Sequence, residues 1–284
     1  MEKIAVVTDT GSNLSFEQAK ELGIYLLPLQ ITIDETTYQD TLEISTQDIY
    51  KELAKGKMPK TSMATYQKIY DLFEELKKDY DTIFAVPLTN GLSTNASTMQ
   101  SIARELEMKV HVIDMYATCA LEKHVSIWIK KLVDEHKSSE EILKIIQPAI
   151  DKSNSLILVK NLQHLKRGGR LTPMAAALAG LLKIYPILHI NKSTEGRIDV
   201  LNKVRTEKRA DAYAIDKVMD DIDIQHTHIY IIHSDFLEGA SHFKKCFIEK
   251  GVPEQNIHID YISSVIAVHT GLGCIAIQYI REEN

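Results

Sequence analysis

Polar residues follow the ends of several predicted strands in the first half of the chain. One strand leads into residues 8–12, with the sequence TDTGS, another into residues 87–95, with the sequence PLTNGLSTN, and a third leads to Asp114. Ligands of open α/β sheets bind at the carboxyl ends of the strands. Each of these side chains taken alone is typical of a helix N-cap. Together with Thr61 and Ser62, they predict a crevice of hydroxyl donors and helix N-termini that suits an anion.

Two glycine-containing motifs in the second half could complete such a site. Residues 167–170 have the sequence RGGR, in which the glycines permit a tight turn that brings a guanidinium close to a ligand. A loop of solvated arginines explains this sequence equally well. Residues 269–273 have the sequence HTGLG, and His269 could bind a carboxylate, act as a base or lie in the core. The alanines and leucines of residues 171–182 fit either a core helix or a smooth wall beside an apolar ligand.

A serine hydrolase is the alternative that these residues leave open. The sequence GLSTN at residues 91–95 resembles the nucleophile elbow GxSxG, although Asn95 stands in place of the second glycine. Ser93 would then be the nucleophile and His269 the base, with Asp114 or Asp235 as the third member. The altered elbow makes this interpretation the weaker one.

Cofactor and metal signatures are absent from the sequence. It contains no GxxxxGK[ST] phosphate-binding loop, and no GxGxxG follows the first predicted strand. His226, His228 and His233 lie close in sequence, but strand alternation places His233 on the opposite face from the other two. We therefore expect neither a metal site nor a nucleotide cofactor.

Composition indicates an ordinary globular protein. Of 284 residues, 44% are hydrophobic and 25% charged, and 33 Lys and Arg against 39 Asp and Glu give a net charge of −6, which disfavours nucleic-acid binding. Cys119, Cys246 and Cys274 form no CxxC pair, which favours a reducing compartment. The apolar run at residues 4–7 is too short for a signal peptide, and no segment has the length of a membrane span. We expect a cytoplasmic protein without stable membrane insertion.

Strand and helix patterns alternate along the chain and predict an α/β protein of two domains, residues 1–155 and 156–284. The first domain should contain a mostly parallel sheet. In the second, a predicted hairpin from residue 187 to residue 204 implies a mixed sheet.

Several motifs together resemble the DegV family over essentially the whole chain and in the same order. They are Thr8-Asp9, residues 27–31 (LPLQI) with Tyr38 and Asp40, Thr61-Ser62, residues 91–93 (GLS), residues 167–170 and residues 269–273. DegV proteins are bacterial fatty-acid-binding proteins of two α/β domains. Several are the acyl-carrying subunit of a fatty acid kinase, a link to phospholipid metabolism, in which a separate ATP-dependent protein phosphorylates the carboxylate.

The resemblance implies a role for particular residues of this chain. Thr61, Ser62 and Ser93 of the first domain should bind the carboxylate of a long-chain fatty acid, and His269 should approach it from the second domain. Arg170 should lie close by, either to balance the anion or to contact the kinase. The ligand should lie at the interface of the domains, with the acyl chain against the second one. The resemblance thus implies a lipid-binding subunit without catalytic residues or a cofactor of its own.

Overall fold

The computed structural model describes residues 2–282, in which strands and helices alternate. The strands of this range are β1 (Ile4–Asp9), β2 (Tyr25–Leu27), β3 (Gln30–Ile33), β4 (Thr36–Gln39), β5 (Lys60–Ser62), β6 (Thr82–Val86), β7 (Lys109–Val112), β8 (Asn154–Leu158), β9 (Tyr185–Ile190), β10 (Asp199–Val204), β11 (Thr227–His233), β12 (Ile257–Tyr261) and β13 (Ile275–Arg281). Its α-helices are α1 (Phe16–Leu22), α2 (Thr46–Ala54), α3 (Tyr66–Leu76), α4 (Asn95–Glu105), α5 (Ala120–Asp134), α6 (Ser139–Lys152), α7 (Leu162–Arg167), α8 (Pro173–Leu178), α9 (Glu207–Asp221), α10 (Leu237–Glu249) and α11 (Ser264–Thr270). None of the helices in the described range is long and apolar enough to cross a membrane.

The strands of the described range form three sheets. The N-terminal part (residues 2–153) contains a parallel sheet of order β2-β1-β6-β7 and an antiparallel sheet of order β4-β3-β5. The C-terminal part (residues 154–282) contains a six-stranded sheet of order β10-β9-β8-β13-β11-β12, in which β11 and β12 are parallel and the other neighbours antiparallel. The predicted fold class, a parallel sheet followed by a mixed one, is confirmed. The division at residue 155, which lies within β8, remains a proposal.

Local signals in the sequence determine where several helices begin. The Ser15 hydroxyl accepts a hydrogen bond from the Gln18 amide, and the Gln18 side chain accepts one in return from the Ser15 amide. Ser138 and Glu141 form the same reciprocal pair at the start of α6. Both capping boxes are predicted by the sequence, because each satisfies two otherwise unpaired backbone donors through contacts within four residues.

Four elements differ from the sequence-based expectation. The core helix that was one interpretation of residues 171–182 is only the six-residue α8, and beyond it the Leu182 side chain is 90% exposed. The strands β4 and β5 and the helix α11 occupy segments in which we expected no strand or helix. All three are short, so their stability depends on tertiary packing rather than on local propensity.

The two parts share one hydrophobic core. Leu29 and Ile31 of the N-terminal part belong to the same buried cluster as Leu188 and Ile232 of the six-stranded sheet. Burying a side chain of this size contributes about 1.5–3 kcal/mol to the free energy of unfolding. The association of the two parts is therefore a component of folding, and any cavity between them is held by a packed core.

A contact between glycines brings the parts together beside the loop that carries Ser93. A Cβ atom on Gly91 would lie 2.2 Å from the carbonyl carbon and oxygen of Gly196. Gly196 has φ +71°, and a Cβ atom there would lie 2.0 Å from the Thr89 hydroxyl. Glycine at both positions permits this close backbone approach.

We predict that Gly91→Ala lowers the free energy of unfolding by about 1–3 kcal/mol, because the added methyl group overlaps the Gly196 backbone. Gly91 does not have a positive φ, so steric overlap is the expected cause. Urea denaturation measures the change. Asn90→Ala is the control, since Asn90 is exposed and uses its backbone N–H to bond Asp114 Oδ2 at 3.1 Å. Equal stability of the two variants would contradict the prediction.

Candidate functional site

One cavity of about 440 Å³ between the two parts is lined by all five residues predicted to form a site. They are Thr61, Ser62, Ser93, Arg170 and His269. The remaining wall is largely apolar and includes Leu29, Leu88, Leu92, Ile198, Val265 and Ile266. A cavity of this size that combines few polar groups with apolar walls is typical of a small-molecule site.

A hydrogen bond joins the two parts across this cavity. Thr61 Oγ1 lies 2.7 Å from His269 Nε2. Thr61 belongs to β5 and pairs with Ile31 of β3, whereas His269 lies near the end of α11. When Nε2 carries the proton, His269 donates to Thr61, and the Thr61 hydroxyl proton remains for a ligand in the cavity.

His269 is neutral at physiological pH. Burial lowers its pKa from 6.5 to about 4, and the positive charge of Arg170 contributes to the shift. Its Nδ1 atom is buried beside Gly168, and hydrogen bonding to the Gly168 backbone partly opposes this shift of the pKa. His269 therefore offers this cavity a neutral hydrogen-bonding group, and a bound anion would favour its protonation.

Arg170 supplies the positive charge of the site. Its Nη1 atom donates to the Gly168 carbonyl at 2.9 Å, which folds the side chain back over the RGGR turn. Among residues 2–282, no carboxylate forms an ion pair with Arg170. A guanidinium without a carboxylate partner at a cavity wall is suited to bind an anionic group.

The two serines lie at the same cavity but have other partners. Ser93 Oγ accepts a hydrogen bond from the Asn95 amide at 3.2 Å and retains its proton for donation. Ser62 is exposed and donates to Gln30 Oε1 at 3.0 Å, so a ligand would compete with Gln30 for this hydroxyl. Their roles toward a ligand stay a prediction.

Asp9 holds the loop that carries Ser93, a function that the sequence did not indicate. Its Oδ2 atom accepts hydrogen bonds from the Leu88 amide at 2.9 Å and from Asn95 Nδ2 at 2.6 Å, on either side of Ser93. Burial raises the pKa of Asp9, and burial together with the charge of Asp9 raises that of Glu122 well above its usual range. A neutral Glu122 beside an ionised Asp9 is the arrangement that this pair favours.

The geometry does not assemble the hydrolase alternative. His269 Nε2 meets Thr61 rather than Ser93, and its Nδ1 lacks the carboxylate partner that orients a catalytic histidine. Asp114 lines a separate polar groove on the other side of Asn90. No nucleophile, base and carboxylate are therefore aligned in this cavity.

A second, smaller cavity connects the lining of the large one with the six-stranded sheet. A small cavity of about 20 Å³ shares Leu92, Ile198 and Ile266 with the large one and continues beside Ile157 and Ile190. The small-residue segment 171–182 lines neither of these cavities, so a wall beside an apolar ligand there stays a prediction. A high alanine content indicates close packing, but it does not indicate whether the segment packs against the protein core or against a ligand.

The fold and cavity define a two-domain α/β protein with a ligand-sized cleft between its parts. The chain belongs to the DegV family, since the family model described as "Uncharacterised protein, DegV family" matches residues 3–282. A DegV domain-containing protein of Halalkalibacterium halodurans is 30% identical over 289 residues, covering 100% of both chains. The fatty acid binding DegV family protein of Streptococcus agalactiae has a TM-score of 0.91 and 29% identity, covering 100% of both chains. DegV of Bacillus subtilis, described as a fatty acid binding protein, has a TM-score of 0.87 and 26% identity, covering 99% of this chain and 100% of its own.

The low pKa of His269 predicts a pH dependence of stability. Because its pKa is about 4 in the folded chain and near 6.5 when exposed, the unfolded chain binds more protons between these values. The free energy of unfolding should therefore fall as the pH drops through this window, by at most about 3 kcal/mol. His269→Gln should lack this component. Denaturation curves from about pH 4 to about pH 7 measure it, and parallel curves for wild type and variant would show that the histidine is not buried neutral.

Proposed function

We propose that this chain binds one long-chain fatty acid, with the carboxylate beside Thr61, Ser93, Arg170 and His269 and the acyl chain between the two parts. The observation that carries the proposal is the lining of one cavity, which combines several hydroxyls and a guanidinium that forms no ion pair with a described carboxylate with many aliphatic side chains. The fatty acid binding described for the DegV proteins of Streptococcus agalactiae and Bacillus subtilis supports it.

The two ends of the ligand contribute differently to affinity. Burying about fifteen methylene groups gains about 12 kcal/mol at about 0.8 kcal/mol each, from which the cost of immobilisation is subtracted. An unpaired carboxylate removed from water is costly, so the polar end must supply hydrogen bonds to it. Hydroxyls, a neutral histidine and one arginine meet this need, and they bind the carboxylate without a closed cage of charges.

We further propose that the bound carboxylate is presented to a separate ATP-dependent kinase. In that reaction a carboxylate oxygen attacks the γ-phosphorus of ATP, the bond to the β–γ bridging oxygen breaks, and acyl phosphate and ADP form. The exposure of Ser62 and Thr94 at the cavity wall supports this proposal, because a partner protein could reach polar residues of that wall from solvent. The absence of an aligned nucleophile and base among the described residues also fits a carrier that leaves the chemistry to a partner.

Native mass spectrometry of the purified protein tests fatty-acid binding directly. We expect a discrete added mass of a fatty acid that is lost on denaturation.

Arg170→Gln should weaken palmitate binding by about tenfold to a hundredfold, because a charge-assisted hydrogen bond contributes about 1.5–3 kcal/mol. Arg167→Gln is the matched control, since Arg167 belongs to the same turn, is exposed and does not line the cavity. A protein that neither carries nor binds fatty acid would refute the proposal, and equal affinities of the two variants would remove Arg170 from the site.

Ile266 lines both the large cavity and the small one, and we expect it to limit acyl length. Ile266→Ala should join the two spaces and raise the affinity for a twenty-carbon acid relative to palmitate, because the longer chain gains buried surface. Calorimetry with both acids measures this ratio. Ile248→Ala is the control, because Ile248 is 39% exposed on α10 and lines neither cavity. An unchanged ratio in Ile266→Ala would place the end of the acyl chain elsewhere.

A further inference from the structure

Helix α11 carries His269 into the site, and its own attachment to the N-terminal part is polar and buried. Ser264, in the first turn of α11, donates its hydroxyl hydrogen to Asp40 Oδ1. Asp40 follows β4 directly and is 0% exposed. No other hydrogen bond between described side chains joins α11 to the N-terminal part except the one between Thr61 and His269.

The backbone of Asp40 is itself fixed beside the cavity. Its N–H donates to the Leu29 carbonyl at 2.8 Å, and Leu29 lines the cavity wall. The residue also pairs with Ile44 in an isolated bridge. Asp40 is therefore a rigid attachment point for α11, and its position is coupled to the wall of the proposed fatty-acid site.

The segment before α11 is held in a similar way. The Tyr50 hydroxyl of α2 donates to the Ile262 carbonyl at 2.7 Å, and the Ile262 amide donates to the His233 carbonyl at 2.8 Å. These bonds fix the chain two residues before Ser264. His269 lies five residues after Ser264, a rise of about 7.5 Å along an α-helix, so displacement of the first turn would move the imidazole.

Burying the Asp40 carboxylate costs free energy of folding that an apolar residue at this position would not. Its second carboxylate oxygen is buried without a hydrogen-bond partner in the described part of the chain. Burial raises its pKa to about 6, Ser264, Thr10 and the Thr41 amide oppose that shift, and the charge of Asp9 adds to it. An apolar contact could press α11 against the N-terminal part without this cost, but it would lack the direction of a hydrogen bond.

We propose that Asp40 is a positioning residue for the head-group site: through Ser264 it fixes α11, and thereby sets His269 against Thr61. The expected effect on ligand binding rests on the proposed function. The positioning of His269 through α11 rests only on the geometry of the ligand-free chain. Asp40 does not line the cavity and acts only through the helix.

Palmitate calorimetry on a set of variants tests the binding consequence. Ser264→Ala and Asp40→Ala should each weaken palmitate binding about tenfold. Asp40→Asn, which retains an oxygen acceptor for Ser264, should stay near wild type. Ser126→Ala is the matched control, because Ser126 is also 0% exposed and its hydroxyl donates to the Glu122 carbonyl within α5 at 2.8 Å. Combining Ser264→Ala with His269→Ala should cost no more than His269→Ala alone, since both changes act through the same imidazole.

An NMR titration of His269 in the ligand-free protein supplies a readout that does not depend on the ligand. In wild type, burial and the charges of Arg170 and His164 hold the pKa of His269 at about 4. In Ser264→Ala we expect this pKa to rise toward 6.5, because a loosened helix would let water reach the imidazole ring. Ser126→Ala should leave the titration unchanged. If the wild-type protein binds no palmitate, the proposed function fails while this titration still decides the role of Asp40. An unchanged His269 titration in Ser264→Ala, or equal effects of Asn and Ala at Asp40, would overturn the proposal.

Discussion

The hydrogen bond between Thr61 and His269 is the contact on which the site depends. One partner lies on a three-residue strand of the N-terminal part and the other at the end of a seven-residue helix of the C-terminal part. Neither element is long enough to be stable alone, so each exists because the two parts pack together. The cavity follows from the same packing, because residues of β5, of α11 and of the shared core all line it. If the two parts separated, the Thr61 hydroxyl and the His269 imidazole would no longer face each other, and the aliphatic walls would no longer enclose a cavity.

The electrostatics of the cavity suit the proposed carrier, which has to release its ligand after presenting it to a partner protein. Arg170 provides a positive charge, while burial keeps His269 neutral and the hydroxyls add donors without charge. A cage of several charges would hold a carboxylate more firmly, but it would also stabilise the ionised ligand against reaction and release. In the proposed carrier, the aliphatic walls supply most of the affinity and the polar end supplies orientation. The buried carboxyls of Asp9 and Asp40 do not line the cavity and instead bond to Leu88, Asn95 and Ser264, which belong to the segments around it.

Much of the fold could be predicted from the sequence because it is encoded locally. The capping boxes at Ser15 and Ser138 and the alternation of apolar runs depend on neighbouring residues, and they predicted helices and strands close to their observed positions. The strand-end rule and the two glycine-containing motifs indicated Thr61, Ser62, Ser93, the RGGR turn and His269, and the family resemblance assigned their roles. The structure brings all five predicted residues to one cavity, although their contacts with a ligand remain predictions. What could not be predicted depends on tertiary contacts. The strand β5 and the helix α11 are too short to leave a periodic pattern, and the alanine-rich segment after Arg170 shows helical propensity without showing that it would lie at the surface.

A crystal structure of the complex with palmitate tests the central claim most directly. We expect the carboxylate oxygens to lie within about 3.2 Å of the Thr61 hydroxyl and of a nitrogen of Arg170 or His269, with the acyl chain running past Leu92 and Ile266 between the two parts. A fatty acid bound elsewhere on the chain, or in this cavity with its carboxylate at the apolar end, would contradict it.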